Sequence, residues 1–445
     1  MAKGATHVLG LDIGNDSIKL VELSLTRGGV QLGSEPAVLP TPPGAVSGGV
    51  VVDPAALADA LKAALSERKV GSRKVIVSVG GDTSVVARVF QMPRMSGKEL
   101  DEAMQWELDR QTPFPVDQVI FDFAPLPAPE GAPESDQMDV FLAVGQEDMI
   151  NAHVQVLQGA KLTPLHIDVE PLALGRALIG LPGGEYLERS VIIIDLGATF
   201  TGIYIFRNGS PAFLRTIPTA GESLTDGIRE ALGLSREQAE QAKRAFTDLS
   251  GMAYEGPAEE SEEESEAGES GASAGIFDAL YEESSSGPET SAPLGGEAET
   301  IPATEFDVEE PLPVAAPPQA AAPAPEAPAA PPAEAIPPEI EHARTIVSEA
   351  VGQRIYDLVT EIGRSLDFYR RQHRTEALAE ILLCGGTANL PGLAPLIGAE
   401  TGISTRVANP FDHIESDGNY SREYLRDIGP SMAIAVGLAL RDMIE

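Results

Sequence analysis

Two stretches of this chain repeat one arrangement of apolar and polar positions. Val8 to Leu11 and Ile18 to Leu25 read as buried strands split by a turn at Gly14-Asn15. Ser190 to Asp195 and Thr201 to Phe206 read again as strand, turn, strand. Between them, Asp53 to Arg68 has Pro54 in its first turn and Leu57, Leu61, Ala64 and Leu65 at helical spacing. Val75 to Val79 reads as a buried strand. Ser96 opens a second helix, with Glu99 three positions on as a capping-box partner. Its stripe is Leu100, Ala103, Met104 and Leu108, with Trp106 off the stripe, and Pro113 and Pro115 end it. Ala343 to Arg371 is a long amphipathic helix, and Ile381 to Cys384 a short strand before Gly385-Gly386. Strands and helices alternate throughout, which predicts an α/β fold.

One segment breaks this pattern. Gly251 to Glu341 holds 22 of the 68 acidic residues and none of the 31 Lys and Arg, and closes in a Pro/Ala tract from Pro311 to Pro338. Such a composition buries too little apolar surface to offset its ordering entropy, so a disordered insertion is expected over 249–341. Inside it, Ile276 to Tyr281 places apolar side chains at helical spacing, as a short binding motif or as chance residues in a tether. The net charge of −37 falls to −15 outside the segment. Neither part offers the basic footprint that phosphate-backbone binding needs, so nucleic acid is excluded as a partner.

The single cysteine, Cys384, allows no internal disulfide, and the six histidines have no ligand spacing. No signal-peptide pattern follows Met1. The longest uncharged apolar run, Ser431 to Leu440, is about half the roughly 20 residues a bilayer span needs. The expectation is a soluble, cytoplasmic protein.

The candidate chemistry lies in the repeat. Leu9 to Lys19 and Ile192 to Thr201 are each an apolar strand ending in Asp-x-Gly, then a small or polar turn, then a second strand. Paired hairpins of this kind suit a polyphosphate held between two similar lobes, because glycine lets backbone amides approach phosphate oxygens. Asp12 and Asp195 would then need a divalent cation, Mg²⁺ with its waters retained. Either hairpin alone also reads as an ordinary tight turn.

Further segments arrive in order. They are His166 to Leu174, Gly221 to Thr225, Ala239 to Lys243, Ile381 to Leu393 and Ala433 to Leu440. Together they resemble the phosphate-1, connect-1, phosphate-2, adenosine and connect-2 segments of the actin/Hsp70/sugar-kinase superfamily. Within it, Phe90 to Met95, Glu99-Leu100, Trp106-Glu107, Pro113-Phe114-Pro115 and Val119 to Asp122 resemble the PilM family, the actin-like proteins of type IV pilus assembly, which are related to FtsA.

The resemblance implies an actin-like ATPase (ribonuclease H-like) fold: two lobes, an extra subdomain of the FtsA/PilM type, and the insertion. The implied division is a first-lobe core at 5–87, the extra subdomain at 88–163 and a first-lobe return at 164–189. The second lobe would occupy 190–248 and 342–427, and a C-terminal helix at 428–445 would return to the first lobe.

The resemblance also implies site roles. Asp12 and Asp195 would hold the water shell of Mg²⁺, while Gly14, Asn15, Gly197, Thr199 and Gly221 surround the phosphates of ATP. Lys19 would supply an ammonium, though it also reads as an exposed strand lysine. Glu240 and Lys243 would contact ribose and adenine, or serve only as a charged helix face. Gly385 and Gly386 would let the nucleotide pass close to the backbone. Glu170, with Asp168 as second candidate, would orient an attacking water, and helix capping explains either residue too. Asn15 and Ala198 stand where strong ATPases often carry Ser, Thr or Gly, so any hydrolysis should be slow.

The implied partner is the N-terminal peptide of the inner-membrane protein PilN, captured beside Arg88 to Pro93, with the wider pilus machine beyond it. Attachment to the inner membrane would be peripheral and through proteins, and self-association stays open. Alternatives are an FtsA-like division protein, a cytoplasmic component of type II secretion, and a sugar or carboxylate kinase. FtsA relatives end in a basic amphipathic helix that Arg441 to Glu445 does not supply.

Overall fold

A computed structural model describes residues 7–81, 84–128, 135–181, 185–250, 338–374, 376–415 and 420–444. The insertion expected over 249–341 lies outside the described residues except at its two ends, and Ile276 to Tyr281 lies wholly outside them. The unbroken apolar run of β1 (His7–Ile13) is buried at every position after His7. It folds back antiparallel on β2 (Ser17–Leu25), which is flanked by β3 (Val30–Leu32) and β4 (Ala37–Pro40). A short ribbon, β5 (Val46–Ser47) with β6 (Val50–Val51), leads to α1 (Pro54–Glu67). Asp53 caps α1 by accepting from the backbone amides of Ala55 and Ala56. The next strand, β7 (Lys74–Val79), lies parallel to β1.

The extra subdomain is β8 (Val85–Pro93), α2 (Lys98–Gln111), β9 (Val119–Pro125) and β10 (Gln137–Gln146), with sheet order β8-β10-β9. One face of this sheet packs on α2 through Met104, Leu108, Val140 and Leu142. The expected Ser96–Glu99 capping box does not form. Gly97, with φ 55°, takes the cap position, so Glu99 sits one residue too early in the helix to reach back. Trp106, off the stripe, is 81% exposed.

β10 runs directly into α3 (Glu147–Gly159), followed by β11 (Thr163–Val169) and α4 (Glu170–Gly175). The sequence division places α3 with the extra subdomain, but its Val156 and Leu157 pack into the first-lobe core beside Leu57 and Leu61 of α1.

The second lobe repeats the plan of the first. It comprises β12 (Ser190–Leu196), β13 (Thr201–Arg207), β14 (Ser210–Ile217), α5 (Gly221–Leu232), α6 (Arg236–Phe246), α7 (Pro338–Gln372), β15 (Leu378–Cys384), α8 (Leu393–Thr401) and β16 (Thr405–Val407). The long helix starts five residues before the expected Ala343, since a proline in the first turn forfeits no intrahelical bond. The first sheet runs β3-β2-β1-β7-β11 and the second β14-β13-β12-β15-β16. In each, an antiparallel meander is extended by two parallel strands. This duplicated order gives two lobes of one plan in an α/β fold, as the resemblance to the actin-like superfamily implies.

α9 (Arg422–Ile428) precedes α10 (Ala433–Ala439), which returns to the first lobe and lies on β1 and α4. Two glycines permit this approach. A Cβ on Gly10 would collide with the carbonyl oxygen of Ala435, and one on Gly437 with that of Ala173. Among the described residues, no helix is long and apolar enough to cross a membrane.

Candidate functional site

The two Asp-x-Gly hairpins close with the same turn. The amide of Gly14 donates to the carbonyl of Ser17 at 3.0 Å, and that of Gly197 to the carbonyl of Phe200 at 3.1 Å. They face each other across one cleft, where Asn15 Nδ2 donates to Thr199 Oγ1 at 2.6 Å. Asn15 Oδ1 accepts from the amide of Gly49 at 2.9 Å, which fixes the side chain's direction. The cleft measures about 990 Å³, at the upper end of the usual range for small-molecule and cofactor sites, about 300–1,000 Å³. Asp12, Gly14, Asn15, Lys19, Glu170, Asp195, Gly197, Thr199, Gly221, Glu240, Lys243, Gly385 and Gly386 all line it.

At the first-lobe end, Lys19 Nζ lies 3.0 Å from Asp12 Oδ2, so Lys19 is a half-buried ion-pair partner and not an exposed strand lysine. Burial works against its charge, but Asp12, Asp195 and Glu170 together hold its pKa above the ordinary value. The carboxylates are strained the other way. Burial and then Asp12 push Asp195 up to about 6, against the pull of Lys19 and the Cys384 thiol. Burial, Asp12 and Asp195 push Glu170 up to about 8, with Lys19 opposing. Gly80 makes room for Glu170, since a Cβ there would collide with its carboxylate. Three carboxylates against one ammonium favour a cation. Among the described residues no group of three His, Cys, Asp or Glu is close enough to hold a metal directly. A hydrated ion, held through its waters, is the form that fits.

The second-lobe wall is built on α5. The amide of Gly221 donates to the carbonyl of Gly197 at 3.1 Å and that of Glu222 to Ala198 at 2.7 Å, fastening the helix start to the hairpin. Lys243, buried on α6, donates to the Gly221 carbonyl and to Thr225 Oγ1, both at 2.9 Å, and pairs with Glu240 at 2.7 Å. Burial disfavours the Glu240 charge, but Lys243, Thr225 and Arg244 hold its pKa down at about 2. Gly385, with φ +90°, brings the backbone against Asp195, where a Cβ would stand 2.6 Å from Oδ1. Beside it Gly386 faces open space.

A family model described as "Type IV pilus assembly protein PilM" matches residues 10–251 and 353–443. The chain belongs to the PilM family. The solved "PilM-PilN type IV pilus biogenesis complex" is 26% identical with a TM-score of 0.69, and the match covers 98% of this chain and 99% of that one. The cell division protein FtsA of Bacillus subtilis (strain 168) is 27% identical over 276 residues, 57% of this chain. The chain spans 60% of the length of that curated relative.

In this PilM-family chain, one expected residue stands apart. Asp168 does not line the cleft. Its carboxylate is bonded to Arg176 and, at 2.8 Å, to Arg441 Nη1, so it ties β11 to the C-terminal segment. That occupation leaves Glu170 as the water-orienting candidate.

Other lining residues carry no sequence signal of their own. Arg236 pairs with Asp16 at 3.4 Å and Glu222 at 3.3 Å, and Arg244 reaches Asp16 at 3.6 Å, so two arginines two turns apart on α6 bridge the lobes. Their flanking of Glu240 was the only cue. Tyr204 sits in an apolar strand and His153 in a helix, where each reads as core. Yet both line the cleft.

Proposed function

We propose that this PilM-family protein is a nucleotide-loaded adaptor of type IV pilus assembly. It holds Mg²⁺-ATP between its lobes and binds the N-terminal cytoplasmic peptide of a PilN-like inner-membrane protein. The observation that carries this reading is the pair of identical Asp-x-Gly turns facing one cleft of nucleotide size. Family membership supports the assembly role, and the similarity to a solved PilM-PilN complex supports the partner.

In this reading Asp12 and Asp195 hold the hydrated Mg²⁺, and Lys19 exchanges its bond to Asp12 for phosphate. The amides around Gly14 and Gly197, with Asn15, Thr199 and Gly221, surround the phosphates. Glu240 and Lys243 form the wall at the ribose and adenine end, and Gly385 and Gly386 let the nucleotide lie against backbone. When bound, Mg²⁺ offsets phosphate charge in a site already too negative. In its ionised form Glu170, whose raised pKa makes it the stronger base, orients a water and accepts its proton, which allows slow hydrolysis. The protein works at the cytoplasmic face of the inner membrane, held there by its partner.

Calorimetry with ATP and ADP, with and without Mg²⁺, tests the first half, and titration of a PilN N-terminal peptide tests the second. Mg²⁺-dependent ATP binding is expected, and nucleotide should shift peptide affinity about 5- to 150-fold. Absence of Mg²⁺-dependent nucleotide binding refutes the cleft assignment. Failure to retain the peptide in either state refutes the adaptor role.

A further inference from the structure

We infer that His153 is a positioning residue of the cation site, its Nε2 accepting a hydrogen from a water that the divalent cation brings into the cleft. The inference rests on the cleft being an Mg²⁺-nucleotide site, and adds a group that neither the Asp-x-Gly hairpins nor the connecting segments contain.

The tautomer follows from the hydrogen bond. Nδ1 lies 2.9 Å from the carbonyl oxygen of Met149, which can only accept, so Nδ1 carries the hydrogen. Burial favours the uncharged ring, against Met149 and the attraction of Asp12. Nε2 is therefore a bare acceptor. No described residue makes a hydrogen bond or an ion pair with it, although the residue is only 2% exposed and lines the cleft. A buried imidazole with only one of its two ring nitrogens bonded, in the wall of a charged cleft, has an unmet acceptor there. The ionisable group that acts on the ring is Asp12, which is already bonded to the Lys19 ammonium. Water polarised by a cation is the donor that this arrangement lacks.

The placement also has a mechanical side. His153 sits midway along α3, whose first residue directly follows the last residue of β10, the middle strand of the extra subdomain. A single peptide bond thus joins the sheet of that subdomain to the helix that carries the ring.

The test titrates Mg²⁺ against a fluorescent ATP analogue in the full chain. His153→Phe keeps a ring and removes the acceptor, whereas His153→Gln restores an acceptor oxygen. His153→Phe should raise the Mg²⁺ concentration for half-saturation about tenfold, the scale of removing an outer partner of a metal site. His153→Gln should recover most of that loss. In the wild type, the ¹⁵N resonance of His153 Nε2 should shift on adding Mg²⁺-ATP and not on adding ATP alone, a readout that survives if His153→Phe fails to fold. An unchanged Mg²⁺ requirement in folded His153→Phe, or an unmoved Nε2 resonance, overturns the inference while leaving the nucleotide site standing. A wild-type protein without Mg²⁺-dependent nucleotide binding overturns both.

Discussion

The side-chain amide of Asn15 donates to the hydroxyl of Thr199 across 2.6 Å, joining two turns that lie 184 positions apart. The bond ties together the tips that the proposed phosphates would separate. Nucleotide entry exchanges it for bonds to phosphate oxygens, so it should stabilise only the ligand-free protein. A double-mutant cycle with Asn15→Ala and Thr199→Val should give a coupling of about 0.5–1.5 kcal/mol in denaturant melts without nucleotide. With saturating Mg²⁺-ATP the coupling should vanish. Equal coupling in both states would mean that the turns do not part.

The raised carboxylates predict a pH dependence. Folded Glu170 and Asp195 keep protons that the unfolded chain releases at ordinary carboxyl pKa values. The stability they confer is therefore fully present below about pH 4 and is lost as pH rises through about 6 and then about 8. The ligand-free melting temperature should fall between pH 5 and pH 8. Glu170→Gln should flatten the upper part of that fall. A wild-type profile that rises over this range would count against the crowded-carboxylate description.

Asp168 and Glu170 should separate cleanly. Asp168→Asn leaves Arg176 and Arg441 without their shared carboxylate. The loss should be about 1–3 kcal/mol of stability, the scale of leaving hydrogen-bonding groups without their partner, since the two arginines left behind are partly exposed. ATP affinity of the folded fraction should stay within about twofold. Glu170→Gln should leave the fold intact and slow any turnover at least about tenfold. Reversed outcomes would move the water-orienting role to Asp168.

The seat of α10 leaves no room for a side chain at Gly437. Gly437→Ala puts a methyl where the Ala173 carbonyl stands, and α10 must lift from α4. Overpacking of this kind costs about 1–3 kcal/mol or more. Gly386→Ala, which faces open space, serves as the control in thermal melts. Equal melting of the two variants would show that α10 adjusts freely.

The paired hairpins were legible because an apolar strand ending in Asp-x-Gly leaves little else for the chain to do there. Thirteen site candidates at separate places along the sequence then fall on one cleft, since the duplicated sheet order brings equivalent turns face to face. Asp168 misled because a carboxylate two residues before a helix looks the same whether it faces a cleft or two arginines. Only the return of Arg441 from the far end of the chain decides it. Ser96–Glu99 has capping-box spacing, but Gly97 takes the cap by adopting a positive φ. The genuine box, Ser235 with Gln238, opens α6 and aims Arg236 at the opposite lobe. His153 and Tyr204 were hidden because burial in a helix or strand carries no mark of which cavity lies beyond it.

The docking of α10 on β1 has a consequence for biosynthesis. In chain order β1 precedes the whole second lobe and α10, which packs on β1 at Gly10, follows it. Until then the nascent first sheet carries an uncovered apolar strip. The first lobe therefore becomes whole only after the second has been synthesised, not when its own strands are complete.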